Sequence, residues 1–136
     1  MRTRAIPLAA FLACAACLPA CEQAGQSQPQ PQPQPRDVSY ADEVAPILET
    51  HCIRCHVPGQ PGAEATGLLL DSHVGLMEGA HSGPVIKPGN ARTSSLYILI
   101  SASDNLTVNM PHGTDPLDAE EIETIRVWIE NGAVDN

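Results

Sequence analysis

The sequence predicts a small all-α fold of about four to five helices, and its C-terminal segment carries the strongest evidence. Four apolar residues recur there at the three- and four-residue spacing of one helix face: Ile122, Ile125, Trp128 and Ile129. Asp118 followed by Glu121 is typical of a capping box at a helix start, and Gly132 is a favourable stop. No alternating strand pattern competes with this helix, and 136 residues leave room for one domain plus tails.

A first helix is predicted over residues 39–52, with Ser39 as its N-terminal cap. Its apolar face holds Val44, Ile47 and Leu48. Pro46 interrupts the pattern, because proline lacks an N–H and clashes with the preceding turn. A kink or a delayed start of the helix is therefore expected at this point.

A second helix begins near Ser72, with Met77 packed into the core and Val74 on the same side. His73 and His81 flank this helix and are expected at the surface. Residues 93–101 predict a further helix. Its shared face holds Leu96, Tyr97 and Ile100. The β-branched residues of this segment keep a strand open as the alternative.

Residues 1–20 are typical of a bacterial signal peptide of the lipoprotein type. Arg2 and Arg4 precede an apolar run, residues 5–18, that is too short to span a bilayer as a helix. Such a leader predicts export, with the mature protein on the periplasmic or cell-surface side of a bacterial membrane.

The leader ends in Leu-Pro-Ala-Cys, which resembles a lipobox and predicts lipidation of Cys21. A lipid there would anchor the protein to a membrane without a spanning helix. The alternative is an ordinary signal peptide cut after Ala20 or Ala24. Residues 21–37 form a linker rich in Gln and Pro, which favours an extended, semi-rigid tether to a domain at residues 38–136.

The chain is strongly acidic, with 7 basic and 16 acidic residues and a formal net charge of −9. Removal of the predicted leader takes away Arg2 and Arg4, which leaves 5 basic and 16 acidic residues and a net charge of −11. Such a protein is a poor candidate for binding nucleic acid or an anionic membrane surface. The charge suits a partner with a basic docking surface, although solubility alone is the alternative explanation.

Two cysteines remain in the domain, Cys52 and Cys55, and His56 follows at once. A disulfide scaffold needs more pairs, a thioredoxin-like site needs a βαβ context, and a structural zinc site needs further ligands. The pattern that remains, Cys-x-x-Cys-His, predicts covalent attachment of one haem c. Residues three apart share a face of a helical turn, so both thiols reach one side of a porphyrin and His56 meets the iron.

The polar loop NLTVNMPHGTDP offers a second axial ligand for the haem iron, and Met110 is the leading candidate. Methionine opposite histidine raises the haem potential and suits electron transfer. His112 lies two residues away and is its rival. A loop methionine that is exposed or merely packed is the plainer alternative.

The domain resembles the class I c-type cytochromes, specifically the short domains called planctomycete-type. The similar stretches follow one another and cover nearly all of residues 38–133: YADEVAPILETHCIRCH, GLLLDS, SGPVIKPGNARTSSLY, MP and LDAEEIETIRVWIENGA. The resemblance implies thioether bonds at Cys52 and Cys55, with His56 and Met110 as axial ligands of the iron. Similar domains often show Met-Pro-Pro, and His112 here replaces the second proline.

The resemblance also implies that the first and last helices cross, which places Ile125 and Trp128 near Val44 and Leu48. It implies that the loop at residues 83–90 lines the haem edge. The expected function is one-electron transfer between redox partner proteins, without enzymatic activity. Two alternatives stay open. One is a haem with an open or labile sixth site that senses gas or peroxide or acts as a weak peroxidase. The other is an electron-wiring subunit of a larger membrane oxidoreductase.

Overall fold

The computed structural model describes residues 36–102, 110–113 and 115–136. Across these residues the fold is all-α, as predicted, with five α-helices and no β-strand. The helices are α1 (Ala45–His51), α2 (Pro61–Thr66), α3 (His73–Glu78), α4 (Ser95–Ser101) and α5 (Ala119–Glu130). No helix in this described part combines the length and apolar character needed to cross a membrane. The predicted signal peptide, Cys21 and nearly all of the linker lie outside the described residues.

The predicted first helix is built in two parts, and Pro46 explains the division. A π-helical turn (Tyr40–Val44) precedes α1. Its backbone hydrogen bonds span five residues instead of the four of an α-helix, and the N–H of Val44 donates to the Ser39 carbonyl at 3.3 Å. Ser39 is the predicted cap, since its hydroxyl accepts from the Asp42 N–H at 3.2 Å. Pro46 lies in the first turn of α1, where a missing N–H costs no helical hydrogen bond.

The predicted start of α3 at Ser72 is confirmed, since the Ser72 hydroxyl accepts from the Gly75 N–H at 3.1 Å. Met77 packs against the core as predicted, but Val74 does not share its burial and is 63% exposed. The buried residue of α3 is Leu76, which lies two positions and roughly 200° around the helix from Val74. A helix of six residues buries only one narrow face.

The prediction that His73 is a surface residue is wrong. Its Nε2 lies 2.8 Å from the Ala133 carbonyl oxygen, and its ring contacts Tyr40 edge-on, with centroids 4.9 Å apart. Trp128 lies on another side, with centroids 5.9 Å apart. His73 is half-buried because the chain after α5 folds back over α3 and supplies a carbonyl acceptor for its ring.

The helical interpretation of residues 93–101 is confirmed, and the strand alternative is wrong. A 3₁₀ turn (Ala91–Thr93) leads through Ser94 into α4. The buried Ser94 hydroxyl accepts from the Lys87 N–H and donates to the Asn90 carbonyl, both at 2.9 Å. Leu96 and Ile100 are buried four residues apart, a spacing that places both on one helix face.

The prediction for α5 is confirmed in detail. Asp118 Oδ1 accepts from the N–H groups of Glu120 and Glu121, both at 2.8 Å, and Glu121 Oε2 accepts from the Asp118 N–H at 2.9 Å. These bonds form the capping box. The chain leaves the helix through Gly132, whose φ of +103° lies in the region that favours glycine.

The first and last helical segments share one hydrophobic core, as expected. The core includes the fully buried side chains of Val44, Leu48, Ile125 and Trp128. Trp128 also donates from Nε1 to the Val134 carbonyl at 2.9 Å, so its one polar atom is satisfied. The residues before the first turn are tied to the same region, because Arg36 donates to Thr124 at 2.9 Å and pairs with Glu43 at 3.1 Å.

Candidate functional site

The Cys-x-x-Cys-His segment forms a tight turn directly after α1. Cys52 is the residue that ends the helix, and its carbonyl accepts from the N–H groups of Cys55 at 3.1 Å and His56 at 3.0 Å. The turn brings all three side chains to the lining of one cavity. The local sequence is enough to produce this arrangement, because the bonds that shape it span three or four residues.

The orientation of the His56 imidazole is set by the backbone that follows the motif. His56 is buried, and its Nδ1 lies 3.3 Å from the Leu68 carbonyl oxygen. A carbonyl only accepts, so Nδ1 carries the proton and Nε2 keeps its lone pair. The His56 carbonyl in turn accepts from the Leu70 N–H at 2.8 Å. An oriented imidazole with a free Nε2 at a cavity wall is suited to binding a metal ion.

Gly62, in the first turn of α2, packs directly against this imidazole. A Cβ added at Gly62 would lie 2.6 Å from the Cys55 carbonyl oxygen and 3.0 Å from His56 Nε2. The next N–H, that of Ala63, donates to the same Cys55 carbonyl at 2.9 Å. Gly62 was missed by the sequence analysis, since nothing in its local pattern separates it from the other glycines.

The cavity that these residues line has a volume of about 720 Å³, within the usual range of cofactor sites. Its walls are mostly aliphatic. They include Leu68, Leu70, Val85, Leu96, Leu99 and Ile100. A cavity of this size with such a lining suits a large apolar group. Val85 comes from the loop at residues 83–90, which the family resemblance expected to contribute to this site.

Met110 lines the same cavity as Cys52, Cys55 and His56. It is half-buried, and its N–H donates to the Leu99 carbonyl at 3.1 Å, which holds it beside α4. His112 also lines the cavity but is exposed. The structure therefore brings the predicted haem residues together, although residues 105–109 and 114 of the predicted ligand loop lie outside the described part.

His81 is another cavity residue that the sequence analysis assigned only to the surface. It is exposed as predicted, but it also lines the cavity. Its N–H donates to the Thr66 carbonyl at 2.7 Å, which joins it to the last residue of α2. No motif links a histidine 25 residues after His56 to the same site.

Burial, together with the smaller effects of the nearby charges of Cys55 and Glu121, raises the pKa of the Cys52 thiol to about 11. The Cys52 side chain is therefore a neutral thiol at neutral pH when it is free. A half-buried, uncharged thiol beside an apolar cavity fits a position where sulfur becomes part of a thioether, which carries no charge.

Residues 52–112 match the family model described as Planctomycete cytochrome C. The chain carries a c-type cytochrome domain. The match begins at Cys52 and includes the motif, α2, α3, α4 and Met110. The comparisons with curated proteins and with solved structures found no match.

A cytochrome c domain of this family implies a covalently bound haem c, so the predicted cofactor is confirmed. The residues present fit that group. Cys52 and Cys55 supply two thiols three residues apart, His56 supplies a free imidazole nitrogen, and the walls are apolar. The cytochrome domain also supports electron transfer as the general role of the chain.

Proposed function

We propose that this cytochrome is a one-electron carrier whose haem c is bound through Cys52 and Cys55, with His56 and Met110 as axial ligands. When bound, the haem supplies an iron that cycles between the ferric and ferrous states. The chain's own residues do the rest. The sulfurs of Cys52 and Cys55 would fix the ring, and the His56 imidazole and the Met110 sulfur would hold the iron. The aliphatic walls of the cavity would exclude water.

The single observation that supports this proposal is the joint lining of one cavity by the motif and by Met110. The motif and Met110 come from segments far apart in sequence, and both reach a cavity large enough for a flat cofactor. His56 is positioned with Nε2 free, since Nδ1 is engaged by the Leu68 carbonyl. A thioether ligand opposite this imidazole would favour the reduced iron and raise the potential.

Electron carriage, rather than catalysis, follows from the proposed ligand set. With both axial positions taken by side chains, no coordination site is left for a substrate. His112 is the rival ligand in the same segment, but its exposure makes it a weaker candidate than the half-buried Met110. A sulfur ligand also suits an apolar cavity better than a second imidazole, which needs a hydrogen-bond partner for its other nitrogen.

The ligand assignment is tested by the absorption spectrum of the purified ferric protein. Sulfur ligation produces a weak far-red charge-transfer band, which we expect in the wild type and in His112→Ala but not in Met110→Ala. Absence of the band in the wild type, or its persistence in Met110→Ala, would overturn the assignment. Rapid binding of carbon monoxide to the ferrous wild type would instead support the open-site alternative, a gas or peroxide sensor.

The proposed location is the outer side of a bacterial membrane, with the domain held by a lipid on Cys21 and the Gln/Pro linker. We expect the protein in the membrane fraction of cells, and we expect Cys21→Ser to release it into the soluble fraction with its haem intact. Equal membrane association of the variant would contradict the anchor. Co-purification of both the wild type and Cys21→Ser with a membrane oxidoreductase would support the alternative that the chain is an electron-wiring subunit.

The proposed partner is a redox protein with a basic docking surface, because the exported chain carries a formal charge of −11 once Arg2 and Arg4 are removed. Complementary charge accelerates association, and salt screens it. We therefore expect electron transfer to a cationic acceptor protein to slow as ionic strength rises. A rate that is independent of salt would show that the acidity serves solubility alone.

A further inference from the structure

The cavity differs in charge from the protein that contains it. Although the chain has 16 acidic residues, no aspartate or glutamate is among the described residues that line the cavity. The ionisable nitrogen side chains of the lining are Arg54 and four histidines. Haem carries two propionate carboxylates, so a cavity without carboxylates avoids repelling them. The position of the remaining polar groups then decides where the propionates bind.

His81 and Ser82 occupy the tip of a tight turn. The turn is closed by two backbone bonds between Ala80 and Gly83, at 3.0 Å and 2.8 Å. Both tip residues line the cavity. Among the described residues, neither the His81 imidazole nor the Ser82 hydroxyl has a hydrogen-bond partner, so both are available to a ligand.

This turn lies at the opposite end of α2 from the attachment motif. The first turn of α2 touches Cys55, since the Ala63 N–H donates to the Cys55 carbonyl at 2.9 Å. The last residue of α2, Thr66, accepts from the His81 N–H at 2.7 Å. Thr66 lies four positions after Gly62, which is about 6 Å along the helix axis. Both Gly62 and Thr66 line the cavity, so α2 forms a wall that leads from the motif to His81.

The fit of His81 against this wall is close. A Cβ added at Gly67, the residue that ends α2, would lie 2.4 Å from the His81 ring. Gly67 has a φ of +75°, so glycine is required there both for the backbone and for the approach of the ring. The imidazole is thus packed beside the cavity although it is exposed to solvent.

We propose that His81 and Ser82 bind the propionate carboxylates of the haem. Thioether bonds form at the vinyl groups, and the propionates lie on the opposite edge of the same ring. A ring attached at Cys52 and Cys55 therefore directs its carboxylates away from the motif, toward the far end of the α2 wall. Arg54 lies between the two cysteines, so it is near the thioether edge of the ring and not near the propionate edge. Imidazole and hydroxyl groups both donate hydrogen bonds to carboxylates.

The inference rests on the proposed attachment of haem at Cys52 and Cys55, and it assigns a role that the attachment alone does not require. A donor near the propionates offsets their negative charge, which otherwise stabilises the ferric iron. Removal of the donor therefore lowers the reduction potential. This effect is separate from ligation of the iron, since His81 is proposed to contact the propionates and is not one of the proposed axial ligands, His56 and Met110.

The experiment compares His81→Ala, His81→Lys and Ser82→Ala in the haem-loaded full chain. We expect a lower midpoint potential and shifted propionate carboxylate bands in the redox infrared difference spectrum for His81→Ala, with smaller shifts for Ser82→Ala. His81→Lys retains a donor and should restore most of the wild-type potential. His73→Gln is the matched control, because His73 is a histidine that does not line the cavity.

Two outcomes are distinguished. If the haem stays covalently bound, the far-red band is kept, and yet His81→Ala and Ser82→Ala leave both readouts unchanged, the propionate site is wrong while the proposed carrier stands. If the wild type holds no covalent haem after acid–acetone extraction, the proposed attachment itself is wrong and the propionate site falls with it. His81 is exposed, so its substitution is expected to leave the thermal unfolding midpoint close to that of the wild type.

Discussion

Nε2 of His51 lies 3.0 Å from Oε1 of Glu121, which joins the last residue of α1 to the first turn of α5. The other oxygen of Glu121 accepts from the Asp118 N–H at 2.9 Å in the capping box. His51 directly precedes Cys52 and itself lines the cavity. One carboxylate therefore starts α5 and also supports the residue next to the haem motif.

Glu121→Ala should destabilise the haem-loaded protein by about 1–2 kcal/mol, because it removes one half of the capping box and the acceptor of His51. Glu121→Gln should cost less, since its amide oxygen still accepts from the Asp118 N–H and glutamine also occurs at this position of capping boxes. The measurement is urea unfolding followed by far-ultraviolet circular dichroism.

Glu120→Ala is the matched control for Glu121→Ala. Glu120 is the adjacent residue in the same helical turn, it is exposed, and its side chain forms no hydrogen bond with any described residue. We expect a change within about 0.5 kcal/mol. Equal losses in the two variants would mean that helix-dipole charge, rather than the two specific contacts, accounts for the effect.

Gly62→Ala should disturb the haem site as well as stability. The new methyl group would meet the Cys55 carbonyl at 2.6 Å and His56 Nε2 at 3.0 Å, so α2 or the imidazole has to move. Overpacking of this kind costs typically about 1–3 kcal/mol. We expect a lower yield of haem-loaded protein and an altered ferric absorption spectrum.

Gly59→Ala separates backbone strain from this steric clash. Gly59 has a φ of +80°, yet no atom lies within 4 Å of an added Cβ. The left-handed conformation costs about 1–2 kcal/mol for alanine, so stability should fall while the spectrum stays that of the wild type. A normal spectrum in both variants would show that the close approach of Gly62 does not orient His56.

Trp128→Phe should destabilise the domain by about 1–3 kcal/mol. Trp128 is fully buried, and the substitution leaves the Val134 carbonyl without its donor and opens space in the core. Tyr97→Phe is the comparison, because Tyr97 is only half-buried and its hydroxyl has no partner among the described residues. The thermal unfolding midpoint of Trp128→Phe should lie well below that of Tyr97→Phe. The reverse order would contradict the central position of Trp128 in the core.

Glu123 contributes a small stabilisation that depends on pH. The hydrogen bonds from Arg126, at 2.6 Å and 2.7 Å, lower the pKa of the Glu123 carboxyl, and the charge of Arg126 adds to this. Because the folded pKa is lowered, the contribution is present above the ordinary glutamate pKa of about 4.3 and is lost as the pH falls through the folded value.

The Glu123 side chain is 56% exposed and the Arg126 side chain is 30% exposed, so solvent screens the pair and the expected magnitude is only about 0.3–0.5 kcal/mol. Glu123→Gln should therefore be slightly less stable than the wild type at pH 7 and equal to it near pH 2. Adding 1 M salt at pH 7 should reduce the difference. A difference that persisted at low pH would show that the side chain acts through packing and not through its charge.

The sequence predicted the features that depend on neighbours within one or two helical turns. The capping box of Asp118 and Glu121, the cap at Ser39 and the clustering of Cys52, Cys55 and His56 all belong to this group. Their hydrogen bonds close over three or four residues, so residue spacing alone specifies them. The family resemblance extended the prediction to Met110, which lines the expected cavity.

Only the tertiary structure decided which side chains meet across long chain separations. Val74 is exposed and His73 half-buried because α3 is short and the segment after α5 folds over it. Gly62 and His81 line the same cavity as the Cys-x-x-Cys-His motif because α2 carries the chain along the cavity wall. These positions depend on how the helices pack against one another. That packing is set by contacts between residues tens of positions apart, which no local spacing in the chain encodes.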